Sequence, residues 1–302
     1  MNIKYLSNHQ IDKIRWDKIV DAAPNGRIYG YSWYLDCLAD DWGALVSDDY
    51  EYIFPLPFRK KYGIYCVVNP FFVQQLAIYS TNQVSSNVYA EFIKAIPFRF
   101  RYINISLSLD EDIPDNKVET IKRRTNFVLD INRPYSEIYA GYRKDNKGRL
   151  KKSFPFTFAE SSNYEQMIAN HIQSVGALFP QVKTHDYNKF CDALREAQKR
   201  DCLKAYILAD FLTGETLATG LFPTSHGRAY NIMSSQSEKG KQLMAHHFLI
   251  DCFIRAHHQQ INIFDFEGSD IAGVAEFFKK WGGVEEYYTH VQVSRFPVNI
   301  VR

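Results

Sequence analysis

Trp33, Leu35 and Leu38 give residues 30–40 a partial apolar stripe, and this pattern together with that of residues 9–22 predicts two helices at the start of the chain. A meander follows. Residues 43–46, 51–59 and 64–68 read as three strands, separated by SDDY and KKYG, whose Asp, Lys and Gly content suits tight turns. Residues 87–95 then read as a helix, and FRYINISLSL (100–109) alternates as a strand does.

The second half repeats this order. Residues 203–211, 217–224 and 228–234 read as strands joined by TGET and SHG, residues 241–257 as a helix, and INIFDFE (261–267) as a strand. FPLPFRKKYGIY (54–65) has a loose echo in GLFPTSHGRAY (220–230). Between the halves, 127–131 reads as a strand, and Ser136 as the N-cap of one helix running through the basic segment YRKDNKGRLKKS. FPFTFAES (154–161) reads as a short strand, with amphipathic helices at 163–175 and 186–199. A meander, a helix and a strand, found twice, suggest duplication of one α/β unit, with domains at 1–130 and 131–302.

Composition adds limits. The chain has 302 residues, 46% hydrophobic and 23% charged, which excludes disordered and collagenous classes. No stretch approaches the run of about 18 apolar residues that a membrane span needs, and MNIKYLSNHQIDKIRW lacks the apolar core of a signal peptide, so a cytoplasmic protein is expected. Five cysteines without CxxC spacing read as free thiols, neither a disulfide framework nor a zinc site. The net charge is +2, yet residues 117–152 carry 11 basic residues against 4 acidic ones. Such a ridge is either a solvated face or a footprint for a polyanion. Arg149 and Lys152 are its candidate phosphate contacts.

Asp265 and Glu267 alternate with Phe264 and Phe266, so in a regular strand both carboxylates share a face. At the end of that strand they read either as a general base for an amine or as a helix cap and an ion-pair partner. Ser269 or Asp270 suits the N-cap of the next helix. The adjacent pairs His246–His247 and His257–His258 lack the i, i+4 spacing with which two imidazoles share a metal, and no metal site is expected.

The segment FDFEGSDIAGVAEFFKKWGG (264–283), with YSWYLDCLADDW, FPLPFRKK and NPFFVQQLAIYS upstream, resembles FemAB-like proteins, a branch of the GNAT acyltransferase superfamily. The resemblance implies an α/β protein of two tandem GNAT-like domains, each a mixed, mainly antiparallel sheet flanked by helices; the coiled-coil arm of the peptidoglycan-bridge ligases would lie within the second domain, and no heptad pattern for it appears. It implies an N-acyltransferase or aminoacyltransferase acting on an amino group of a small-molecule or cell-envelope precursor; the alternative is a non-catalytic GNAT-like protein that binds a ligand or partner. Acyl-coenzyme A and aminoacyl-tRNA are the donors implied, and DNA is not an expected partner. In GNAT proteins a Q/R-x-x-G-x-G/A turn holds a pyrophosphate on backbone N–H groups. Here SSQSEKGKQLMAHH (234–247) supplies Ser235, Gln236, Gly240 and Lys241 for that role, with one residue too many between Gln236 and Gly240, Gln242 at the second glycine position, and an acidic Glu238. Where many coenzyme-A-using relatives carry a proton-donating tyrosine, FFKKWGG has Phe278, leaving Tyr287 or Tyr288 as substitutes.

Overall fold

The computed structural model describes residues 1–115, 117–152, 154–268 and 272–296. The chain divides into two compact units, Met1–Thr125 with Tyr287–Arg302, and Asn126–Glu286.

The first unit opens with β1 (Ile3–Ser7), followed by α1 (Lys13–Ala22) and α2 (Ser32–Leu38). The meander β2 (Asp41–Ser47), β3 (Ile53–Lys61) and β4 (Ile64–Val68) comes next, then α3 (Ser86–Ala95), β5 (Phe100–Leu107) and the first part of β6 (Glu119–Asp130). β1 pairs antiparallel with β2, and β2, β3 and β4 pair antiparallel in turn. α3 then carries the chain across to β5, which lies parallel to β4, as a crossover helix permits. The core is made where α1 and α2 lay their apolar faces on β2 and β3: Trp16, Val20, Leu35, Trp42 and Ile53 are buried together. Trp16 meets Trp42 edge-on, and its indole N–H donates to the Gly30 carbonyl at 2.8 Å, so the one polar atom it buries is satisfied.

The second unit takes in the end of β6, then α4 (Tyr135–Gly141), α5 (Lys144–Leu150), β7 (Phe156–Glu160), α6 (Tyr164–Val175) and α7 (Thr184–Lys199). β8 (Leu203–Asp210), β9 (Thr216–Ser225), β10 (Arg228–Tyr230) and β11 (Met233–Gln236) follow, then α8 (Glu238–Leu243), α9 (Ala245–His257), β12 (Ile263–Gly268) and α10 (Ala272–Lys279); β13 (Val284–Ser294) leads back into the first unit, where it pairs with β5. The topology of the first unit recurs: β7, β8, β9 and β10 are successively antiparallel, and α9 crosses to β12, which is parallel to β10. Each unit is therefore a mixed, mainly antiparallel sheet with helices against it, the tandem arrangement expected. Phe222, Leu249, Phe253 and Phe264 join β9, α9 and β12 in one buried cluster.

Three elements depart from their sequence pattern. The helix expected over 241–257 is broken at Met244, whose backbone turns left-handed at φ 56°; methionine carries no signal for that geometry. The helix expected through the basic run is two helices. Its start is capped at Pro134 and not at Ser136, and it breaks where Tyr142 turns inward onto Trp281 and the Arg143 N–H donates to the Lys280 carbonyl. The strand expected over 228–234 is interrupted at Asn231 and Ile232. Ser269 and Asp270, expected as the cap of α10, lie outside the described residues.

Candidate functional site

That interruption creates the main feature of the second unit. β10 lies beside β12 with Tyr230 opposite Asp265, and the Asn231 N–H still donates to the Asp265 carbonyl at 2.8 Å. Beyond Ile232 the chain stays on β9, with Met233 opposite Leu221 and Gln236 opposite Ala218, and among the described strands nothing pairs with its other edge. Two parallel strands part, and a wedge opens between β11 and β12. In the first unit the equivalent strands do not part in this way: β4 remains on β5 through Val68 opposite Asn104.

Beside β11, side chains from three elements meet. Ser234 projects from β11, His246 from the first turn of α9, and Phe277 from α10, the helix after β12. Ser234 Oγ lies 2.9 Å from His246 Nε2, and the imidazole stacks on Phe277 at 5.5 Å and 11°. The Gln236 side-chain oxygen accepts the His246 backbone N–H, and Arg149 on α5 reaches the Nε2 of His247 at 3.1 Å. Burial holds both histidines well below their ordinary value, at about 4, with the positive charges of Arg149 and Lys280 adding to the effect on His247. Both rings are therefore neutral at pH 7. Of the residues singled out in the sequence, Gln236 and Arg149 are thus brought to one place, through the two adjacent histidines.

Asp265 and Glu267 do not share a face. Glu267 has a left-handed backbone, φ 64°, and the register with β6 shifts between Asp265 and Gly268, so the two-residue alternation ends there. Asp265 is almost wholly buried and fully engaged: Oδ1 accepts from the Asn126 amide at 3.0 Å and the Glu267 N–H at 2.9 Å, and Oδ2 accepts from Arg228 at 2.6 Å. Arg228 also makes a two-pronged pair with Glu286, at 2.9 and 3.0 Å. Asp265 thereby fixes the kinked end of β12, on the wall of the wedge opposite β11. Arg228, Asn126 and Glu286 are distant in sequence from DFE and carry no motif, so only the folded chain assembles them.

The turn before α8 is drawn tight upon itself. The Ser237 N–H donates to the Leu217 carbonyl, and the Gly240 N–H to the Ser237 hydroxyl. A Cβ at position 240 would sit 2.1 Å from the Leu217 oxygen, so glycine is required there for close packing on β9. Lys241 pairs with Glu238, and Lys239 with Asp210 and Glu215. Beside the turn is a cavity of about 450 Å³, walled by Gln166, Asn170 and Gln173 of α6 and by Ser235, Gln236 and Glu238. Ser235 lines it while bonding Thr219, on the strand face opposite Ser234.

The basic ridge is partly engaged. Arg143 pairs with Glu276, Lys147 donates to the Ala140 carbonyl, and Lys144, Lys151 and Lys152 are exposed. Phe278 is a core residue, stacked on Phe266 at 4.9 Å. Tyr288 is buried on β13 in the first unit. None of the five cysteines forms a disulfide, and among the described residues no group of three or more His, Cys, Asp or Glu is placed to hold a metal ion, and no helix is long and apolar enough to cross a membrane.

The fold is similar to solved structures over nearly the whole chain. FemX matches with a TM-score of 0.69 at 11% identity, covering 96% of this chain and 97% of that one. L-PGS from Bacillus licheniformis matches at 0.55 and 14% identity, covering 94% and 92%, and a tandem GNAT protein from the clavulanic acid biosynthesis pathway at 0.55 and 9%, covering 98% and 99%. No protein-family model matches the sequence, and no curated protein matches it. These likenesses are of fold: the two-unit architecture of this chain is the one these structures share.

Proposed function

We propose that this protein transfers an acyl or aminoacyl group to an amino group of a small-molecule or cell-envelope precursor, and that the reaction takes place in the wedge between β11 and β12. The parting of those two strands carries the reading. It leaves the open edge of β11 with every second backbone N–H unpaired by a neighbouring strand, which is where an acyl donor can be held and a developing oxyanion stabilised. Ligands of α/β sheets collect beyond the carboxyl ends of strands, and both strands end at this opening. Similar folds include an N-myristoyltransferase with bound myristoyl-CoA, TM-score 0.53, and the tandem GNAT protein named above.

An aminoacyl ester carried on tRNA fits better as donor than a coenzyme A thioester. The Ser237 and Gly240 N–H groups are already committed, and the lysines at that turn are paired, so a pyrophosphate gains little there. Lys144, Lys151 and Lys152 stand free to meet a polyanion from solvent. On the acceptor side, Asp265 is committed to Arg228, Asn126 and the Glu267 N–H. Glu267, held in a strained conformation at the end of β12, is the carboxylate assigned to the amine: it anchors the ammonium and takes one proton to free the nitrogen lone pair, and as the C–N bond then forms and the bond to the leaving oxygen breaks, the second proton passes from the nitrogen to that oxygen.

The test offers the protein labelled acetyl-coenzyme A or bulk aminoacyl-tRNA with amino acids, amino sugars and amine-bearing peptides. Transfer from the aminoacyl ester is expected, and Glu267→Gln should lower turnover by ~10²–10⁴ with the fold intact. Donor or acceptor binding without any turnover would favour the non-catalytic alternative.

A further inference from the structure

Ser234 and His246 have the geometry of an activated hydroxyl. The seryl Oγ and the imidazole Nε2 are at 2.9 Å, both residues are half-buried, and they stand on β11 and in the first turn of α9. The ring is held from two directions. Phe277 covers one face in nearly parallel stacking, and the His246 backbone N–H is tied to the Gln236 side chain. The Ser234 carbonyl is met by His171 Nδ1 at 3.2 Å, so the segment carrying the hydroxyl is fixed as well. In the tautomer that carries its proton on Nδ1, the neutral imidazole accepts the Ser234 hydroxyl proton at Nε2, and this is how a serine becomes a nucleophile. Burial keeps the His246 ring neutral at pH 7, as the role requires.

We propose that Ser234 receives the acyl group from the donor and passes it to the amine, with His246 as the base and then the acid, so that transfer proceeds through an acyl-serine ester. This rests on the acyltransferase reading and adds a covalent intermediate to it. In the first half, Ser234 Oγ bonds to the acyl carbon as its proton goes to His246 Nε2, and the bond from that carbon to the donor oxygen breaks while His246 returns the proton to the departing alkoxide. In the second half, Glu267 takes one proton from the ammonium and sheds it to solvent, the freed amine nitrogen attacks the ester carbon, and the proton the nitrogen then loses goes to His246 Nε2, which gives it to Ser234 Oγ as the bond from that oxygen to the acyl carbon breaks. Every bond formed is matched by one broken, and no outside oxidant or reductant is needed. The unpaired N–H groups along the open edge of β11 are suited to stabilise both tetrahedral species.

The experiment uses p-nitrophenyl acetate, a small activated ester that needs no recognition of the natural donor, with the full chain at pH 7. Nitrophenolate release should show a burst approaching one equivalent, and intact-protein mass should show one acetyl group. Peptide mapping should place it on Ser234, and hydroxylamine should remove it, as it does an ester and not a lysyl amide. Ser234→Ala should abolish the adduct and His246→Gln should slow its formation at least ~10²-fold, while Ser234→Cys, which keeps a nucleophile in place, should restore labelling at the same position. Thermal unfolding of each variant shows whether a loss comes from misfolding. Labelling confined to other residues, or labelling of Ser234 that is indifferent to His246→Gln in a folded variant, overturns the proposal. Undiminished transfer from aminoacyl-tRNA by a folded Ser234→Ala variant also overturns it while leaving the acyltransferase reading standing, so the two fail separately.

Discussion

Replacing Asp265 by asparagine removes one negative charge from a nearly sealed cluster and leaves its shape almost unchanged. Asp265 is 1% exposed and the Arg228 side chain 15%, with a guanidinium nitrogen 2.6 Å from the carboxylate. The carboxylate accepts hydrogen bonds from Asn126, the Glu267 N–H and Arg228. An amide has one acceptor oxygen: it can keep Asn126 and the Glu267 N–H, but its NH₂ then faces the guanidinium, donor against donor. Removing one partner of a buried ion pair costs ~3–5 kcal/mol, mostly for the charge left uncompensated. Glu286 still pairs with Arg228 and its side chain is 30% exposed, so part of that charge stays compensated. We therefore expect Asp265→Asn to lower stability by about 2–4 kcal/mol, and Glu286→Gln by about 1 kcal/mol, since the latter pair is reached by water. Urea unfolding at pH 7, followed by circular dichroism and tryptophan fluorescence, measures both. The second substitution that tests the cause is Arg228→Met in the Asp265→Asn background, which removes the stranded cation and should recover most of the loss. An Asp265→Asn variant within about 0.5 kcal/mol of the parent, or a double variant less stable than the single one, would refute the ion-pair account of the β12 end.

His246 and His247 have folded values near 4, below the ~6.5 of an unfolded histidine, so between those values the unfolded chain binds more protons; stability should be full above about pH 6.5 and fall by up to about 3 kcal/mol for each histidine toward pH 4, and a pH series of urea midpoints for the parent and for His247→Gln should show a shallower fall in the variant. Gly240→Ala should cost about 1–3 kcal/mol, because the added methyl meets the Leu217 carbonyl at 2.1 Å and the turn must move; an unchanged melting temperature would count against that contact. Neutralising Lys151 and Lys152 together should weaken aminoacyl-tRNA binding and flatten its dependence on salt by a slope of roughly 1–2, whereas equal affinity at low and high salt would return the ridge to plain solvation. Acetyl-coenzyme A should bind weakly or not at all in calorimetric titration, and a low-micromolar dissociation constant would show that the closed turn before α8 opens to a pyrophosphate.

The sequence by itself determined the elements and their repeated order, because local periodicity depends on neighbours two to four residues away. The strand over 64–68 and the helices near 87–95 and 163–175 fall within a residue or so of β4, α3 and α6. Charge asymmetry was legible too, and the tandem architecture implied by the repeated order and by the resemblance of residues 264–283 is the one observed. Tertiary structure decided what periodicity cannot encode. The backbone reversals at Met244 and Glu267 occur at residues with no local preference for them, so surrounding contacts must impose them. The break at Tyr142 exists because Trp281, far along the chain, offers its ring a buried place. Above all, Asp265 and Glu267 looked equivalent in a strand of period two, and one bulge divided them into a buried ion-pair member and a residue of strained backbone. Ser234 and His246 stand 12 residues apart with a strand end, a turn and a broken helix between them. Their meeting depends on β11 leaving β12, a choice of pairing partner made between strands distant in sequence, and such a choice exists only once the sheet has formed.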